Sequence, residues 1–147
     1  MAQRDTSSKT TNGSTWILDF VHSYEDFPAK GVRFQWYAKL LLRPEAFRKV
    51  ICEFAERYRQ KPIGAIAALE TRGFLIAAPL AYELNLPLIL IRKSGKLPGE
   101  VDKISYRLEY GTDAFEIERN IISPNQKILI VDDVLATGES AAAAAKL

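Results

Sequence analysis

At 147 residues, with 48% hydrophobic and 26% charged content, the chain has the composition of one globular domain, and a fold of that size buries roughly 70% of its unfolded surface. A net charge of +2 is too small to mark a nucleic-acid binder, no apolar run approaches the roughly 18 residues of a membrane span, and the start lacks the apolar core of a secretory signal. A single cysteine, Cys52, excludes an internal disulfide and fits a reducing, cytoplasmic setting.

Residues 1–15 are rich in Ser and Thr without apolar periodicity and read as a disordered tail. Trp16 to Tyr24 carries enough apolar residues to pack as a short helix, and Asp26 to Phe34 is loop chemistry turned by Pro28 and Gly31. His22 has no Cys or Asp spacing around it that would make a metal site. Pro44 suits a first helical position, and Ala46, Phe47, Val50, Ile51, Phe54, Ala55 and Tyr58 then keep helical spacing on one face. Cys52 falls in this segment as a core or near-core thiol. Glu45 with Lys49, and Glu53 with Arg57, are i,i+4 pairs on the wet side.

Ile63 to Leu69 reads as a buried strand, and Glu70-Thr71-Arg72-Gly73 turns the chain into a helix over 74–84 that is apolar nearly all round. Pro79 interrupts its bonding and Asn85 is a plausible stop. Leu88 to Ile91 is a second buried strand that delivers Arg92 and Lys93 at its C-terminal end. Residues 94–104 read as a mobile surface loop, and Ser105 to Tyr110 and Ala114 to Glu118 as strands flanking a turn at Gly111. Strand and helix alternate through the second half, an α/β pattern that argues a parallel sheet with right-handed crossovers.

The chemistry concentrates in Lys127-Ile128-Leu129-Ile130-Val131-Asp132-Asp133-Val134-Leu135-Ala136-Thr137-Gly138-Glu139-Ser140 and the alanine run behind it. Four apolar residues read as a strand buried on both faces. Two carboxylates follow, then a small-residue turn, then strong helix formers from Ala141 to Lys146. Open α/β sheets bind ligands at such a place, and turn N–H groups at a helix start hold phosphate. An acidic pair before a phosphate cradle suits hydroxyls or a hydrated metal, so the ligand implied is a sugar phosphate. Read alone, the pair could equally be a helix cap with a solvated neighbour. Arg72 and Lys93 each follow a strand, and with Lys96 they can converge on the same sheet edge.

This run resembles the phosphoribosyl pyrophosphate (PRPP) motif of type I phosphoribosyltransferases. Three further stretches narrow the resemblance to the adenine phosphoribosyltransferase family. They are Asp26-Phe27-Pro28-Ala29-Lys30-Gly31-Val32-Arg33-Phe34, Glu70-Thr71-Arg72-Gly73-Phe74, and Arg92-Lys93-Ser94-Gly95-Lys96-Leu97-Pro98-Gly99 running on to Ser105-Tyr106-Arg107-Leu108-Glu109-Tyr110-Gly111. The likeness extends from about residue 24 to 147.

The resemblance implies a Rossmann-like parallel sheet flanked by helices, with a small N-terminal hood at about 24–42 and a core at about 43–147, together one domain over 16–147. It implies that Asp132 and Asp133 hold the ribose hydroxyls, near Mg²⁺ carried by the pyrophosphate. Ala136, Thr137, Gly138, Glu139 and Ser140 would hold the 5-phosphate, and Arg72, Lys93 and Lys96 the leaving pyrophosphate, whose developing charge they would stabilise. Phe34 would stack on the purine, with Arg33 and Gln35 flanking it through backbone groups. Glu109 would act as acid or base on a ring nitrogen, under a loop that closes and excludes water. The substrates implied are adenine and PRPP, the products AMP and pyrophosphate, and the assembly a homodimer.

The chain departs from the family at four places. Glu139 stands where the adenine enzymes usually carry Gly, and is expected to point outward. Trp36-Tyr37-Ala38-Lys39 replaces an Asp-Ile-Thr-Pro-like segment, and Lys30 a usual Pro. Family members continue past Leu147 with at least one more strand and a closing segment, so a C-terminally truncated form is expected, or a partner chain that covers a bare sheet edge. Two other readings stay open: a non-catalytic PRPP-binding regulatory module, and transfer to a different base. A phosphoryl-accepting Asp would leave the small-residue cradle without a purpose.

Overall fold

A computed structural model describes residues 15–108 and 111–147, which form two compact units, one up to Phe47 and one from Arg48 onward. The expected tail therefore lies almost wholly outside the described residues, as do Glu109 and Tyr110.

In the first unit a 3-10 helix spans Thr15–Phe20, and strand β1 (His22–Tyr24) follows it. The expected helix over 16–24 holds only for its first half. β1 pairs antiparallel with β2 (Phe34–Trp36), setting His22 against Trp36 and Tyr24 against Phe34. A helix of two turns is marginal alone, whereas the ladder satisfies the backbone of the second half. The connecting loop turns at Asp26 (φ 57°), whose carboxylate accepts from the Gly31 N–H at 2.6 Å. A one-turn helix α1 (Ala38–Leu41), not anticipated from the sequence, packs on the 3-10 helix and buries Leu40.

Helix α2 (Pro44–Tyr58) opens at the expected proline and buries Val50, Ile51 and Ala55 at the expected spacing. In the second unit, β3 (Ala65–Leu69), β4 (Leu88–Lys93), β5 (Val101–Leu108), β6 (Gly111–Glu118) and β7 (Ile128–Val131) form one sheet in the order β5-β6-β4-β3-β7. β4, β3 and β7 are parallel, in the α/β arrangement expected, and β5 and β6 add an antiparallel hairpin. The core lies on both faces of β3. Ala65, Ala67 and Leu69 pack with Ile89, Ile91, Phe115, Ile117 and with Ala143 and Ala144 of α4 (Glu139–Lys146). Ile66 and Ala68 face Ala55, Ala77, Leu80 and Ala81 on the other side. Alternation along a single strand therefore divides the core.

Several expectations need correction. Helix α3 (Gly73–Leu84) is not buried all round, because it lies mainly over β3 and leaves Leu75 and Tyr82 exposed. It ends as expected at Asn85 (φ 54°), where the Asn85 and Leu86 N–H groups close on the Tyr82 and Ala81 carbonyls. β4 is buried on one face only; Ile89 and Ile91 are core, whereas Leu88 and Leu90 reach solvent where α3 does not cover them. β7 is half-buried throughout, not buried on both faces, because it is the last strand on its side of the described sheet. The loop expected over 94–104 is shorter, since β5 already starts at Val101, and Gly111 opens β6 instead of forming the turn. β3 begins at Ala65 and not Ile63. Among the described residues no helix is long and apolar enough to cross a membrane.

Candidate active site

The parallel strands β4, β3 and β7 deliver three charged segments to one end of the sheet: Arg92-Lys93 directly, Glu70-Thr71-Arg72 after β3, and Asp132-Asp133 after β7. Gly73 sets how closely two of them approach. A Cβ on this residue would stand 2.8 Å from the Val131 carbonyl oxygen and 3.2 Å from both Cα and Oδ1 of Asp132. Hydrogen at that position lets the start of α3 press against the end of β7.

The approach brings Arg72 to the acidic pair, where its Nε–H donates to Oδ2 of Asp133. The Asp133 side chain is only 5% exposed, so the guanidinium neutralises a carboxylate withdrawn from water. The Asp133 N–H donates to Oδ1 of Asp132 at 2.9 Å. Burial of the Asp132 carboxyl, and then the Asp133 carboxyl beside it, push its pKa up to about 6, against the lowering by the Asp133 N–H and the Arg72 charge. Asp132, which is exposed, is thus the acceptor left facing outward.

Past the pair, Ala136 and Thr137 are exposed, and Gly138 takes φ 85° to bring the chain into α4. The small residues leave the loop backbone accessible, and the first N–H groups of α4 have no helical acceptor. Glu139 is exposed in the first turn, its N–H 3.4 Å from the Thr137 hydroxyl. A carboxylate there also complements the positive end of the helix.

Lys93 and Lys96 lie on one arm, with the Lys96 N–H on the Lys93 carbonyl at 3.2 Å. The Lys93 ammonium is held at 2.9 Å by Asp113 of β6. That contact is the first cause keeping the Asp113 carboxyl below its ordinary range, aided by the Ala114 N–H. The Tyr106 hydroxyl donates to the same Asp113 at 3.3 Å, and the ring stacks on Phe115 at 4.6 Å. Burial, then the Asp113 charge, raise the Tyr106 phenol to about 12, and the Ser140 hydroxyl acts on it in the opposite sense. A line of polar groups therefore runs from Lys93 through Asp113 to Tyr106.

Glu70 braces the base of the arm. It accepts from Arg92 Nε at 2.8 Å and from the Lys93 N–H at 2.7 Å, and the Arg92 contact chiefly lowers its pKa. Sequence reasoning missed Glu70, Tyr106, Asp113 and Glu116. For Glu70 and Tyr106 the available signal was their place inside the quoted stretches. For Glu116 it was a carboxylate in the middle of an apolar strand.

The second unit thus joins Arg72 to Asp133 and sets Lys93 and Lys96 on one arm. Glu109 lies outside the described residues. In the first unit, Arg33, Phe34 and Gln35 occupy β2 and the turn before it. The Arg33 guanidinium pairs with Glu25 at 3.1 Å, and Gln35 accepts from the Ser23 hydroxyl at 2.9 Å. With those side chains engaged, Phe34 presents a ring edge-on to Phe27 at 5.1 Å and stacked on Trp36 at 5.9 Å. Residues two apart on a strand share a face, so β2 carries an aromatic surface.

The family described as "Phosphoribosyl transferase domain" matches residues 38–147. The adenine phosphoribosyltransferase of Nitrosopumilus maritimus is 45% identical over 131 residues, which is 89% of this chain and 77% of that protein. The crystal structure of adenine phosphoribosyltransferase from Thermoanaerobacter pseudethanolicus superposes with a TM-score of 0.85 at 42% identity, over 90% of this chain and 77% of the other. That of Saccharomyces cerevisiae, complexed with an imino-altritol bisphosphate and adenine, gives 0.84 at 40% identity, over 90% and 78%.

Proposed function

The chain belongs to the phosphoribosyltransferase family, and from that premise we propose that it salvages purine as an adenine phosphoribosyltransferase, converting adenine and PRPP to AMP and pyrophosphate. The observation that carries this reading is the close junction at Gly73, where Arg72 meets Asp133 beside the outward carboxyl of Asp132.

Asp132 and Asp133 accept from the ribose hydroxyls. The loop from Ala136 to Ser140 and the start of α4 take the 5-phosphate through backbone N–H groups. Arg72, Lys93 and Lys96 would bind the pyrophosphate and stabilise the charge it gains as the bond to the anomeric carbon breaks. Arg33, Phe34 and Gln35, on the aromatic surface of β2, are suited to take the base, and the anomeric carbon inverts through a ribosyl-cation-like transition state. Glu109 handles the proton on the ring nitrogen. The metal that would accompany PRPP is Mg²⁺, carried by the pyrophosphate. Asp132 and Asp133 would lie beside that ion, which when bound would supply positive charge to the leaving group.

A homodimer would cover the exposed apolar side chains Leu75, Tyr82, Leu88 and Leu90, and sedimentation velocity reads its mass. A cytoplasmic location suits the unpaired Cys52 thiol. The decisive assay is AMP formation from radiolabelled adenine and Mg-PRPP. Asp132→Asn with Asp133→Asn should lower turnover by orders of magnitude, and near-normal turnover would refute the assignment. The stacking of Trp36 on Phe34 favours one second reading, transfer to another base through a wider aromatic surface. Competition of adenine, hypoxanthine and guanine for one PRPP pool separates the two.

A further inference from the structure

Strand β6 carries a carboxylate for which the reaction above has no use. Glu116 lies between the core residues Phe115 and Ile117 and is itself only 6% exposed. Both of its oxygens are occupied. Oε1 accepts from the Ser94 hydroxyl at 2.7 Å, and Oε2 from the Gly95 N–H at 2.7 Å. The Lys103 ammonium stands 3.4 Å from Oε1 and also donates to the Ser94 hydroxyl oxygen. The carboxyl is held below its ordinary range, first by Ser94 and then by the Gly95 N–H.

Ser94 and Gly95 are the two residues between Lys93 and Lys96. Gly95 sits at φ 77° and Gly99 at φ 75°, both with open space around the missing Cβ. The Ser94 N–H on the Ala114 carbonyl at 3.0 Å and the Lys96 N–H on the Lys93 carbonyl at 3.2 Å hold the turn's backbone, but glycine adopts such a backbone as readily as others and adds little stiffness of its own. The Glu116 carboxylate adds two further points that bind the turn to the sheet. Buried carboxylates are expensive unless fully bonded, and this one has a donor on each oxygen and an ammonium beside it.

We propose that Glu116 is a positioning residue that fastens the Ser94–Gly95 turn to β6, so that Lys93 and Lys96 address the leaving pyrophosphate together. The proposal rests on the reading of those lysines as the pyrophosphate arm. A carboxylate is required because both acceptors face donors. An amide would turn one acceptor into an NH₂ group directed at the Gly95 N–H or at the Ser94 hydroxyl.

The test uses Glu116→Gln and the milder Ser94→Ala in the full chain, with two readouts. The first is initial-rate kinetics in each substrate. Glu116→Gln should raise the KM for Mg-PRPP about tenfold, as expected for misplaced ligands, and leave the KM for adenine unchanged. The second is the rate of trypsin cleavage after Lys96. It should rise about tenfold in the variant, since cleavage follows the population of the open segment, and saturating pyrophosphate should protect the wild type better. Equal changes in both KM values, or an unchanged cleavage rate, would overturn the proposal. Should Glu116→Gln fail to fold, Ser94→Ala decides: a smaller shift confined to PRPP supports the proposal, and none overturns it. A wild-type chain that forms no AMP refutes the proposed function alone, because the cleavage readout still reports on the hold of Glu116.

Discussion

Replacing Gly73 with alanine isolates the junction on which the candidate site depends. The new methyl would stand 2.8 Å from the Val131 carbonyl oxygen, inside van der Waals contact with a backbone atom that no rotamer change can move. Overpacking of this kind costs about 1–3 kcal/mol, and the better helix propensity of alanine returns about 1 kcal/mol at an interior position, less at the first. The net destabilisation is therefore about 1–2 kcal/mol. For a unit the size of residues 48–147 that lowers Tm by roughly 5–15 °C. The end of β7 must retreat, carrying Asp132 and Asp133 away from Arg72, so the KM for PRPP should rise about tenfold while that for adenine holds. Gly64→Ala is the control. Its Cβ would come even closer to a neighbour, 2.7 Å from Cγ of Gln126, but that is a side chain that can swing away. Thermal melts by circular dichroism and initial rates on both variants give the comparison. A Gly73→Ala protein that melts with the wild type and saturates at the same PRPP concentration would refute the reasoning.

Arg72→Ala should cost about 2 kcal/mol, because it strands the nearly buried Asp133 carboxylate; the figure is reduced from that of a fully buried pair since Arg72 is 43% exposed. Urea titration measures it, and Asp133→Asn in the same background should recover part of the loss. The Asp132 carboxyl, raised from 3.8 to about 6, binds its proton more tightly in the folded chain. Its contribution to stability is complete below its ordinary pKa and is lost as pH rises through about 6. Catalysis has the opposite slope, since the ribose hydroxyls need the carboxylate. Activity should rise over the same range, and Asp132→Asn should flatten both profiles. Phe34→Ala should raise the KM for adenine roughly 10–100-fold, the worth of one stacked base, with the KM for PRPP unaltered; equal losses for both substrates would remove Phe34 from the base site.

Much of the fold was legible from local pattern. The 3.6-residue spacing from Ala46 to Tyr58 marked α2 because a helix repeats its buried face at that interval, and Pro44 and Asn85 marked a start and a stop through their own backbone preferences. The run from Lys127 to Ser140 disclosed strand, acidic pair, turn and helix, since each piece has a composition dictated by its own chemistry. Apolar runs alone could not reveal which faces would be covered. Leu88, Leu90, Leu75 and Tyr82 are as apolar as their neighbours, and they are exposed because α3 lies over β3 and not over β4.

What the sequence by itself determined was the kind of groups available and where along the chain they occur: a carboxylate pair, a small-residue loop, an arginine after one strand and lysines after another. Only the tertiary structure decided which of them meet. Arg72 and Asp133 are 61 positions apart and join because Gly73 lacks a side chain where α3 crosses the end of β7. Lys93 and Asp113, and the Ser94–Gly95 turn and Glu116, join because β6 lies antiparallel beside β4. A local pattern carries the propensity of each segment, whereas strand order and register, which fix distances between remote charges, arise from the packing of all segments at once.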